Sequence, residues 1–156
     1  MIKNLTLRRQ VERIERLVQQ SSQATASDLA LHAHWGRYLC VLVAGFMENA
    51  IFEIYSEFVY RCSPEPVARY AAARLERISN PKASTFVETA RAFKDTWAIE
   101  LDNFLADDGR KDAVDSIMSN RHQIAHGQDT GITLARVNSY FVKCVAVVEF
   151  IEKQCA

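Results

Sequence analysis

The chain has 156 residues, of which 49% are hydrophobic and 24% charged, with Lys+Arg and Asp+Glu both totalling 19. That length can bury a core without disulfides or metal, and the composition excludes a disordered chain. The balanced charge does not announce a nucleic-acid binder, so any such site must be local.

With five glycines and three prolines, turns are few and long helices are favoured. The four cysteines, Cys40, Cys62, Cys144 and Cys155, contain no CxxC pair. Two of them lie in apolar runs, where cysteine behaves as a small hydrophobe, so reduced thiols in a cytoplasm are expected. The N-terminus alternates charge with leucine and lacks the apolar block of a signal peptide. The most apolar run, Tyr38 to Phe52, contains Glu48. It falls short of the ~20 residues that a membrane span requires.

In the first segment, Leu7, Val11, Ile14 and Val18 recur at i, i+4, i+7 and i+11, which predicts a helix with one apolar face. Arg9, Arg13 and Arg16 share another face. They read as a solvated stripe paired with Glu12 and Glu15, or as a phosphate-binding one. Ser21 to Thr25 is a polar break, and Ser27 followed by Asp28 resembles an N-cap. A helical pattern then runs to about Cys62, the longest element and the expected central helix. It is apolar on nearly every side between Tyr38 and Phe52, as suits a helix with neighbours all round. Glu48 is the single charge in that run. It sits either at an exposed sliver or as partner to a basic site residue, with Arg121 the candidate.

The next helix is expected from Pro66 to Ser79, since proline suits a first helical turn, and Asn80-Pro81 stops it. Thr85 and Glu88 have capping-box spacing ahead of Phe86, Ala90, Phe93 and Trp97. A continuation through Ile99, Leu101, Phe104 and Leu105 ends at Asp107-Asp108-Gly109. These aromatics are able to stack on a base, but helical spacing favours a core. A penultimate helix follows from Arg110 to His126, with Gly127 as its left-handed cap. The last helix runs from the N-cap Thr133 to Lys153. Its Leu134, Val137, Phe141, Cys144, Val148 and Ile151 form a seam for another helix of this chain or of a second copy. No strand or repeat pattern is visible. The expected fold is all-α, a single-domain bundle of four to five main helices over residues 1–156 with a long central helix.

Chemistry concentrates in Asn120 to Gly127, which holds Arg121, His122 and His126. Arg121 falls on the apolar stripe of Val114, Ile117, Met118 and Ala125, an unusual place for a guanidinium without a partner. Asp115, Ser119, His122 and His126 form a polar line on a neighbouring face. At roughly 100° per residue, Arg121 and His126 project some 140° apart. One straight helix does not aim both at one ligand atom, so either the helix loosens or a second copy completes the site. Three chemistries compete. The i, i+4 histidines could chelate a metal, although no HExxH or nearby cysteine supplies further ligands. The histidines could be exposed and merely structural, with Arg121 paired to Glu48. Or arginine holds a phosphate while histidine moves a proton, with no metal.

The run Arg121-His122-Gln123-Ile124-Ala125-His126 reads R-polar-xxx-H and resembles the signature of HEPN domains (higher eukaryotes and prokaryotes nucleotide-binding). The motif stands at the end of the penultimate helix of an all-α chain. Gly45-Phe46-Met47-Glu48 resembles the segment where many members carry an acidic residue. The likeness is greatest to the RiboL-PSP-HEPN type.

The resemblance implies an endoribonuclease that needs no metal or other cofactor and acts on RNA as a homodimer with a composite cleft. Arg121 would stabilise the scissile phosphate, and His126 would transfer the proton. His122 would assist from a position that is often Asn or Asp, and Glu48 and Asn120 would support. It further implies a toxin or defence effector in the cytoplasm, away from membranes, with an antitoxin or nucleotidyltransferase as possible partner. Some members only bind nucleotides or proteins, which is the alternative reading.

Overall fold

The computed structural model describes residues 1–24 and 27–156. These form seven helices and no strand: α1 (Leu5–Ala24), α2 (Leu29–Cys62), α3 (Glu65–Leu75), α4 (Ala83–Phe93), α5 (Asp95–Ala106), α6 (Arg110–Ala125) and α7 (Leu134–Gln154). The all-α class is as expected. The count is higher than the expected four to five, because the segment after Pro81 divides in two. Lys94 adopts an extended conformation (φ −161°, ψ 126°) between α4 and α5, with neither glycine nor proline to announce the break.

The 34-residue α2 is the central helix and packs against α1, α3, α6 and α7. Its buried residues, from Leu39 and Cys40 through Met47 and Ile51 to Val59, occupy all sides, since each side meets a different neighbour. By length and composition alone α2 is apolar enough to cross a bilayer. The run Tyr38–Phe52 falls short, but the apolar character continues through Ile54, Tyr55 and Val59. Most of that stretch is buried inside the protein, where it serves as core.

Several helix ends differ from expectation. The polar break does not stop α1 at Ser21, whose hydroxyl donates back to the Leu17 and Val18 carbonyls at 2.7 and 3.1 Å, so the helix continues to Ala24. Thr25, the end of that expected break, lies outside the described residues. Asp28 caps α2 by accepting from the Leu31 N–H at 3.0 Å. Helix α3 ends at Leu75 rather than Ser79. The Thr85–Glu88 capping box does not form, because α4 starts earlier, at Ala83. Its first N–H donates to Asp115 of α6 at 2.8 Å, so a tertiary partner replaces the local cap. Thr133 caps α7 as expected, accepting from Arg136.

The α7 seam is buried within the same chain, against α1, α2, α5 and α6. The aromatics of α4 and α5 are also core: Phe93 stacks on Tyr55 with centroids 4.8 Å apart, and Trp97 meets Phe58 edge-on at 5.2 Å. All four cysteines are free, and burial pushes the Cys40 and Cys144 thiols up to about 12, leaving them neutral. Arg9, Arg13 and Arg16 of α1 are exposed. Gly36, a position the hydrophobic pattern does not flag, lets α2 meet the chain entering α7. A Cβ there would lie 3.0 Å from the Ile132 carbonyl oxygen and 3.1 Å from the Leu134 nitrogen.

Phe46 of α2 packs edge-to-face on Phe141 of α7, with centroids 6.0 Å apart and Phe46 only 2% exposed. Phe46→Ala is expected to destabilise the fold by about 3–5 kcal/mol, read from urea denaturation. A loss below about 1 kcal/mol would show that the α2–α7 contact is not the core of the bundle.

Candidate functional site at the end of α6

Val114, Ile117 and Met118 are fully buried and set the rotation of α6 about its axis. The Cys40 thiol of α2 donates to the Ile117 carbonyl at 3.6 Å, which fastens the two helices at that level. One turn further on, Arg121 continues the stripe but emerges at the border of the core, its side chain 35% exposed. Its Nη2 stands 4.0 Å from Oε1 of Glu48, whose side chain is 24% exposed. The same Oε1 accepts the backbone N–H of Asn80. Glu48 therefore joins α2, α6 and the turn before α4, and the expected pairing with Arg121 is present at the long end of ion-pair distance.

Beyond Arg121 the helix closes in a Schellman arrangement: Gly127 N–H donates to Ile124 O at 3.0 Å, and Gln128 N–H to Gln123 O at 2.9 Å. Gly127 has φ 69°, the left-handed conformation expected of it. His126 is the C-cap residue, so its backbone has already left the helix (φ −93°, ψ 13°). His122 and His126 are exposed, and their rings meet edge-to-face with centroids 4.4 Å apart. Among the described residues no hydrogen bond or ion pair links Arg121 to either ring. Asn120 turns back on its own helix, its amide donating to the Ser116 carbonyl at 2.8 Å. The structure thus joins Arg121 to Glu48 and His122 to His126, and leaves Asn120 with neither pair.

Three features around the site escape a reading of periodicity. Asp115, first in the polar line towards His126, is occupied by the Ala83 N–H. Asn80 has φ 50° and a buried Oδ1 without a hydrogen-bond partner among the described residues. In α2, Arg37 donates to Asp129 at 3.1 Å and to Nδ1 of His34 at 2.9 Å, which holds the loop that follows Gly127. The Asn80-Pro81 pair signalled only a stop, and nothing local tied Arg37 to Asp129. Among the described residues no group of three or more His, Cys, Asp or Glu gathers as a metal site would require.

The description of the RiboL-PSP-HEPN family fits residues 6–156, from the first turn of α1 to the last residue. The chain belongs to that family. No curated protein and no solved structure matches it. In this HEPN domain the end of α6 carries a guanidinium tethered to α2 and two imidazoles facing solvent, on a backbone closed by a glycine cap.

Two substitutions separate the duties of Glu48. A half-exposed ion pair contributes about 0–1 kcal/mol, whereas leaving a backbone N–H without an acceptor costs about 1–3 kcal/mol. Glu48→Gln, which keeps an acceptor for Asn80, is expected to lose less than about 1 kcal/mol in urea denaturation, and Glu48→Ala about 1–3. Equal losses in the two variants would refute this division.

Proposed function

We propose that this HEPN domain is an endoribonuclease that cleaves RNA without a metal, acting as a homodimer through Arg121, His122 and His126. The observation that carries the reading is Arg121, held by Glu48, at the same helix end as the two exposed imidazoles of His122 and His126, in a chain of the HEPN family. A guanidinium can grip a phosphate bidentately and stabilise the charge that develops on it. An imidazole serves as general base or acid near neutral pH.

In this reading the ribose 2′-oxygen attacks the adjacent phosphorus and gives its proton to an imidazole. The bond from phosphorus to the 5′-oxygen breaks, and the leaving oxygen takes up a proton. The products are a 2′,3′-cyclic phosphate and a 5′-hydroxyl. His126 is the principal proton carrier, and His122, in ring contact with it, assists.

Side-chain direction supports the dimer. On a regular helix Arg121 and His126 would project roughly 140° apart, and although His126 as the C-cap has left helical geometry, no hydrogen bond or ion pair joins it to Arg121 among the described residues. A second copy across a two-fold axis supplies the complementary half, which gives two arginines and two pairs of histidines around one cleft. A domain of this activity, acting in the cytoplasm, suits a toxin or defence effector restrained by a partner protein.

The purified protein is expected to cleave RNA equally well with and without EDTA. Arg121→Ala and His126→Ala should each lower the rate by ~10²-fold or more. Wild-type rates in either variant would sink the assignment. Binding of a nucleotide or protein that is lost in Arg121→Ala, with no cleavage of any RNA, would make this a non-catalytic module. Sedimentation at micromolar concentration should give the mass of a dimer, and a strictly monomeric mass would remove the composite site.

A further inference from the structure

Where the connection from α3 enters α4, residues Asn80 to Ala83 are fastened at two points to helices that carry the site. Glu48 of α2 accepts the Asn80 N–H, and Asp115 of α6 accepts the Ala83 N–H at 2.8 Å. Between these points lie Pro81, which is buried, and Lys82, which is exposed. Asn80 holds a left-handed φ of 50°, uncommon for a residue with a Cβ, and proline fixes its own φ, so the course of the turn is narrowly defined. A short, doubly anchored and conformationally restricted turn next to Arg121 carries one outward lysine.

The geometry limits where that lysine can be. Glu48 Oε1 is in hydrogen-bond contact with the Asn80 nitrogen and 4.0 Å from Arg121 Nη2. Lys82 is two residues further on, at ~3.8 Å per residue, so its backbone is within roughly 8 Å of that of Asn80. A four-carbon stem and a freely turning ammonium extend its reach further. Lys82 enters no ion pair among the described residues, whereas Arg37, beside the loop after Gly127, is engaged by Asp129 and His34.

We propose that Lys82 binds the RNA phosphate next to the one held by Arg121, and that Glu48, by touching both Arg121 and the turn, sets the separation of the two cations. This rests on the ribonuclease reading above and adds which part of the substrate is gripped: two successive phosphates of a single strand. The chemistry divides accordingly. A guanidinium fork suits the phosphate whose orientation matters for reaction, and a compact ammonium suits a neighbour that requires only charge.

The test uses the full-length His126→Ala protein, which retains both cations, and a fluorescent single-stranded RNA oligonucleotide. Anisotropy gives Kd across a salt series. Lys82→Ala and Lys82→Gln in that background are expected to weaken binding and to reduce the slope of log Kd against log salt by about 0.7, the loss of one phosphate contact. Lys82→Arg should restore both. Affinity and slope unchanged in Lys82→Ala and Lys82→Gln would overturn the proposal, as would loss of binding in all three, which would place the effect in the turn's shape. If the His126→Ala protein binds no RNA and the wild type cleaves none, the ribonuclease reading itself falls. If the wild type cleaves and the Lys82 variants bind and cleave as it does, only the Lys82 contact falls.

Discussion

A helix that is apolar on every side is satisfied only when other helices surround it, and α2 imposes that condition on the rest of this protein. Its buried residues face α1, α3, α6 and α7 in turn, and each of those helices has an apolar stripe that matches. The order of the bundle follows from burying α2. So does the rotation of α6: once Val114, Ile117 and Met118 are committed to the core, Arg121 must emerge at its edge and the histidines must face water.

Glu48 is the one charge within the most apolar stretch of α2, and its surroundings explain how it is tolerated. It is partly exposed, accepts a backbone N–H from the α3–α4 turn and lies beside a guanidinium. A carboxylate so placed is costly to leave without partners and inexpensive with them. The ion pair itself is long and weakly stabilising, which leaves the arginine's remaining donors available to an anion. Glu48 acts less as a source of stability than as a reference point that places a cation and a turn relative to the central helix. The imidazoles are placed by different means, through the backbone closure at Gly127 and the Arg37–Asp129 tie on the following loop.

Much of this was legible in the residues alone. The 3.6-residue periodicity marked α1, α2, α6 and α7, Gly127 marked the end of α6, Thr133 marked the start of α7, and an acidic residue stranded in an apolar run pointed to Arg121. Several helix ends lie elsewhere than residue type suggests. Ser21 has the character of a breaker, but its hydroxyl bonds back within the helix. Thr85 and Glu88 have the spacing of a capping box, but Asp115 supplies an acceptor from another helix and α4 begins earlier. Lys94 breaks a helix that no local residue interrupts. At Ser21 the hydroxyl's partner lies within the helix, and at α4 the cap comes from another helix, so residue type alone did not settle either end.

The sequence by itself determined what is local and periodic: the helical class, the long apolar centre, the amphipathic stripes and the gathering of Arg121, His122 and His126 at one capped helix end. These depend on side-chain pattern and backbone preference within a few residues. Three-dimensional packing was needed to bring Glu48 to Arg121 and Asn80 together and Asp115 to the first N–H of α4. Those relations join residues some 30 to 70 positions apart, and they exist because burying α2 brings separate segments to the same side of one helix.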